Sequence, residues 1–212
     1  MKLVRPVALL AAGAALVLSG TAGAATPKTL VLTDTAGDAN GINDQGLVSP
    51  GVFAGTAGPG SQASKDILSV TYTTTTKKVG RTTSCTGFTV ALKLAAAPDA
   101  SGTLYRIDGK GTTNTSLWWL QYDGASTKVR WSDGSSTTPL SSGSVALVNA
   151  AKVAGDTITF TVTEADLKAS NETLKAFAVT GPGADIRTVT PAATVPQWDV
   201  LPTDDTKTFK PC

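Results

Sequence analysis

The side chains best able to do chemistry in this sequence are oxygen donors. Asp34, Asp38, Asn40, Asn43 and Asp44 crowd one glycine-containing stretch, and Asp66 follows about twenty residues later. Carboxylates, Asn oxygens and loop carbonyls are the ligands that hold a hard cation such as calcium. The candidate ligand set is Asp34, Asp38, Asn40 and Asp66. The pattern is not an EF-hand: with Asp38, Asn40 and Gly41 at that motif's third, fifth and sixth positions, Ala36 and Leu47 fall where two required ligands belong. The same composition also suits a plain turn, because Asp and Asn bond their own backbone and Gly tolerates positive φ. The residues alone leave both readings open.

Much other chemistry is missing. The sequence has no histidine, which removes the commonest general base, the Ser-His-Asp triad and His-containing zinc sites. The Gly-x-Ser-x-Gly and P-loop patterns are absent as well. Paired carboxylates would suffice for a glycosidase, but Glu164 and Glu172, the only glutamates, sit in or beside a predicted turn rather than along a cleft. The expectation is a protein that is not an enzyme.

The aromatic side chains offer a different function. Tyr105, Trp118, Trp119, Tyr122 and Trp131 fall on neighbouring predicted strands, and flat aromatic surfaces are the usual platform for sugar rings. Adjacent strand residues point to opposite faces, so Trp118 and Trp119 cannot both be core. One belongs outside or at a rim.

The elements that must position these residues read as strands. Residues 1–24 have the form of a secretory signal: Lys2 and Arg5, an apolar centre from Pro6 to Leu18, and Ala22-Gly23-Ala24 as a small-residue cleavage site. Its removal takes the formal net charge from +2 to 0, so composition gives no reason to expect a nucleic-acid partner. Residues 25–212 form a single expected domain, secreted and without a membrane span. Cys85 and Cys212, an even pair in an exported chain, are expected to form a disulfide.

Strands are expected at 29–33, 67–76, 86–94, 103–107, 117–122, 128–131, 145–149, 157–162, 174–179 and 186–189. The clearest period-two pattern is Phe88, Val90, Leu92 and Leu94 against Thr89, Ala91 and Lys93. One short helical turn is expected after Thr163, with Asp166 placed to complete a capping box. Nine or ten short strands with that single turn indicate an all-β antiparallel sandwich.

The Asp34-x-x-Gly37-Asp38-x-Asn40-Gly41 loop, the Gly-rich spacer and Asp66-Ile67 opening a strand resemble the start of the family-9-like carbohydrate-binding and DOMON-like β-sandwich group. The Thr157 to Val162 strand, running into Glu164-Ala165-Asp166-Leu167, is similar to the end of such domains. The resemblance implies structural calcium near the N-terminal loop and, in some members, sugar held between aromatic side chains. The expected partner is a polysaccharide or cell-envelope glycan. The alternative is a structural or adhesive envelope protein with no small ligand.

Overall fold

Threonine alternating with large apolar residues suits a pleated surface with one dry face, and here it makes long strands. The computed structural model describes residues 28–39, 62–112, 117–132, 142–188 and 197–212. Strands β2 (Ile67–Val79) and β3 (Thr82–Leu94) form a hairpin closed by Gly80-Arg81, with Gly80 at φ +60°. A two-residue loop of this kind takes glycine because its backbone twist needs positive φ. The two strands therefore run past the expected bounds of 67–76 and 86–94 to meet at this tight turn.

β1 (Thr29–Thr33), β2, β3, β9 (Thr157–Thr163) and β8 (Lys152–Ala154) form the first sheet, in the order β1-β2-β3-β9-β8. The second runs β11-β10-β4-β5-β6-β7. Its strands are β4 (Thr103–Lys110), β5 (Leu117–Tyr122), β6 (Thr127–Ser132), β7 (Ser142–Ala146), β10 (Val179–Thr188) and β11 (Gln197–Leu201), with β12 (Thr208–Phe209) also on β10. All of these pairings are antiparallel. The fold is an all-β sandwich, as the strand pattern implied.

The inner faces meet in a core that includes Val70, Tyr72, Phe88, Val90, Leu92, Tyr105, Ile107, Trp118, Leu120, Phe160 and Ile186. Phe177 fills its centre, 5.1 Å from Trp118 and 5.6 Å from Phe88 between ring centroids. The helix α1 (Glu164–Ala169) carries the expected capping box. The second Asp166 oxygen accepts from the Val148 amide at 2.7 Å, tying the chain after β7 to the helix start. Among the described residues no helix is long and apolar enough to cross a membrane.

One expected strand is replaced and another is part of a longer one. Residues 174–178 form a turn, with the Ala176 and Phe177 amides donating to Thr173 O, so that Phe177 enters the core from a loop. The expected strand at 186–189 is, through residue 188, the end of β10, which runs through Gly181-Pro182-Gly183 by shifting register between Thr180 and Gly183; residue 189 lies outside the described residues. β4 also continues through Asp108-Gly109-Lys110, beyond the expected end at 107. Gly109 suits the strand because a Cβ there would lie 2.3 Å from Val179 Cγ1.

The C-terminal tail is fastened across the sandwich. Cys85 and Cys212 are disulfide-bonded with Cα atoms 5.9 Å apart, and Pro211 O accepts from Thr74 Oγ1 at 2.8 Å. Phe209 is buried 5.3 Å from the Tyr72 ring. Closing a loop of 127 residues stabilises by roughly 4 to 5 kcal/mol in the chain-entropy model. We therefore predict that the Cys85→Ser/Cys212→Ser protein unfolds at clearly lower urea than the oxidised parent. An unchanged midpoint would show that the tail is held by Phe209 packing alone.

Candidate cation site and the outer face of the second sheet

The acidic loop is shaped by its own backbone. The Asp34 amide donates to Leu68 O at 3.0 Å, extending the β1–β2 pairing by one residue, and the Thr35 amide donates to Asp34 Oδ1 at 2.9 Å. At Gly37 the chain turns with φ +87°, a conformation that an L side chain resists, and the Gly37 amide donates to Asp66 Oδ2 at 2.8 Å. Ala39 is buried, and its carbonyl accepts from the Gln62 amide. Asp66 lies between the 3-10 turn Ala63–Lys65 and β2, only 3% exposed, with its carbonyl accepting from the Ala95 amide.

The structure adds a residue that sequence reasoning missed. Asp199 pairs with the core residue Ile186 across β10 and β11, so it occupies an inward position and is 4% exposed. Its Oδ2 accepts from the Ile67 amide at 2.6 Å and its Oδ1 from the Val200 amide at 2.8 Å. One carboxylate thus links the edge of the second sheet to the first residue of β2. Oxygens of Asp38, Asp66 and Asp199 all lie within 4.8 Å of one another. Asp199 was missed because no strand was expected beyond residue 189, so nothing set the direction of its side chain. The available signal was an acid among Trp198, Val200 and Leu201.

Electrostatics marks this cluster as incomplete. Asp34 Oδ2 and Asp66 Oδ1 are buried without a hydrogen-bond partner. Burial, with the charges of Asp34 and Asp38 adding to it, pushes the Asp199 carboxyl up to about 7 against the two amides that favour its ionised form. The Asp34 carboxyl is also raised, by burial first and then by Asp38 and Asp66. No ion pair among the described residues involves any of the four. Lys65, adjacent in sequence, pairs instead with Asp99 at 2.9 Å and lies 4.6 Å from the Trp198 ring centroid. An all-oxygen, multiply negative, partly dry cluster with unsatisfied oxygens suits a hard divalent cation. Of the sequence-derived ligands, Asp38 and Asp66 converge with Asp34 beside them. Asn40 lies outside the described residues.

The five aromatic candidates do not form one platform. Tyr105 and Trp118 are fully buried core residues, so neither can stack on an external sugar. Tyr122 and Trp131 share the inner face with Trp118 and pack partly buried against the core. Trp131 also covers Gly143, where a Cβ would lie 1.9 Å from the indole. Only Trp119 points to the outer face, between Asp108 and Arg130 on the flanking strands. The strand alternation that separates Trp118 from Trp119 therefore holds, but a shared aromatic surface does not.

Comparison with protein-family models, curated proteins and solved structures finds no match for this chain.

The raised Asp199 carboxyl has a consequence of definite sign. The folded state keeps a proton that the unfolded state releases near the ordinary 3.8, so without a cation stability falls as pH rises from about 4 to about 7. In chelator, this fall should be shallower in Asp199→Asn than in the parent, measured by urea midpoints across that range. Equal slopes would mean that Asp199 ionises as freely in the folded protein as in the unfolded chain.

Proposed function

We propose that the protein is an exported, non-catalytic β-sandwich module that holds one structural calcium ion and binds carbohydrate. The carrying observation is the aspartate cluster at the junction of the sheets, with buried oxygens left without partners. Asp38, Asp66 and Asp199 would hold the ion, with Asp34 close by, and the ion would neutralise a repulsion that no ion pair among the described residues relieves. The Cys85–Cys212 disulfide supports an oxidising compartment. The absence of histidine supports a binding role over catalysis.

The carbohydrate part rests on Trp119, the one candidate aromatic on the outer face of the second sheet. The burial of Tyr105 and Trp118 favours the rival reading, a structural or adhesive module with no small ligand. Glycan binding separates the two.

Extracellular modules hold calcium with dissociation constants of about 10⁻⁴ to 10⁻³ M, so about 1 mM calcium would add roughly 0.4 to 1.4 kcal/mol. For a domain of this size that is a rise in melting temperature of about 1 to 5 °C. We expect the rise to be reversed by chelator and lost in Asp38→Ala, whose side chain is exposed. No shift at several millimolar calcium would remove the cation from the account. In the same preparation, Trp119→Ala should abolish binding on a glycan array while leaving the melting temperature nearly unchanged. An array on which the parent protein binds nothing would favour the adhesive reading.

A further inference from the structure

The outer face of the second sheet carries two rows of side chains set by strand register. Asp185, Arg106, Gln121 and Lys128 lie side by side in one, and Asp108, Trp119, Arg130 and Ser144 in the next. Charge is not evenly spread along them. Asp185, with a side chain 4% exposed, takes Arg106 Nη2 at 2.8 Å and Arg187 Nη2 at 2.9 Å, while Asp108 takes Arg106 Nε at 2.9 Å. The half of the face on β4 and β10 is thus two acids against two guanidiniums. The half on β5 and β6 carries Arg130 and Lys128, and no ion pair among the described residues includes either. Arg130 Nη1 donates to Gln121 Oε1 at 3.3 Å, and its Nε is buried without a hydrogen-bond partner.

Trp119 stands between the halves, its ring centroid 5.7 Å from the Arg106 guanidinium carbon and 5.5 Å from that of Arg130. These cations flank the ring, and the attraction between a cation and an aromatic face holds them there. The indole is therefore a pillar that steadies Arg130. A guanidinium steadied in this way, with no carboxylate of its own, is suited to a carboxylate brought by a ligand. Lys128 sits two positions away on the same strand, roughly 7 Å along it. Gln121 and the exposed Ser144 flank the pair with groups suited to hydroxyls.

We propose that this face binds an acidic polysaccharide, with Arg130 and Lys128 receiving uronate carboxylates and Gln121 and Ser144 contacting sugar hydroxyls. The inference rests on the carbohydrate reading above and narrows it to one class. A densely charged polyanion fits less well, because the guanidiniums on β4 and β10 are already taken by Asp108 and Asp185 and offer it no free positive charge. Isolated carboxylates along a hydroxyl-rich chain match two cations that join no ion pair among the described residues and stand beside neutral polar groups.

The test is titration calorimetry of the oxidised, calcium-loaded protein with three probes. These are hyaluronan oligosaccharides, the same oligosaccharides with their carboxyl groups reduced to alcohols, and duplex DNA of similar length. The expected result is binding of the uronate form, at least tenfold weaker binding of the reduced form, and weakening as salt rises. Arg130→Gln should lose at least tenfold with its melting temperature retained. Should that variant fail to fold, Lys128→Glu provides the same reading from a second site. Equal binding of both glycan forms, abolished by Trp119→Ala, would overturn the acidic specificity and leave the carbohydrate reading standing. Binding of DNA as tight as of uronate would overturn it in favour of unspecific attraction to polyanions. Failure of both glycan forms to bind, on a wide glycan array as well, would end both readings.

Discussion

Three aspartates from three distant stretches of chain, Asp38, Asp66 and Asp199, meet where the two sheets join with Asp34 close by, and the charge gathered there is the constraint that this end of the sandwich must satisfy. At an effective dielectric of about 20, two full charges near 5 Å repel by about 3 kcal/mol, a large fraction of the stability of an ordinary domain. Asp66 and Asp199 are both almost fully buried, so water relieves little of this. The backbone offers partial relief through the Gly37, Ile67 and Val200 amides. Two oxygens still lack any partner. Either a proton or a cation must complete the balance, and only a cation would do so while leaving every carboxylate ionised.

The opposite end of the strands solves the joining problem by other means. There the disulfide, the Thr74 bond to Pro211 O and the buried Phe209 ring fix the C-terminal tail against β2 and β3. The sandwich is thus fastened covalently and by packing at one place and electrostatically at another. The outer face of the second sheet contributes to neither fastening.

Those features of the sequence whose cause is local were legible. Alternation in Thr86 to Leu94 is a property of one strand, and Phe88, Val90, Leu92 and Leu94 are all in the core. Adjacent tryptophans must part, and they do. Thr163 and Asp166 lie three apart, close enough for a capping box to be read directly. Features whose cause is pairing were not legible. Asp199 becomes part of the cluster only because β11 lies along β10 in a register that turns it inward. The cationic half of the outer face was hidden for the same reason: only the strand register shows that Asp185 takes Arg106 and Arg187 while Arg130 and Lys128 stand outside any ion pair among the described residues. The Leu174 to Val179 segment shows the remaining kind of failure. Its apolar residues belong to the core, but Phe177 arrives there from a turn, which an apolar run cannot distinguish from a strand.

The central claim is that the aspartate cluster is a cation site rather than a set of protonated acids. The most direct measurement is a crystal structure grown in calcium, with the anomalous signal used to identify any ion. The account predicts one ion between Asp38, Asp66 and Asp199, at the roughly 2.3 to 2.6 Å expected for calcium and oxygen. A cluster in which the carboxylates have moved apart, or bond one another through protons with no ion between them in millimolar calcium, would contradict it.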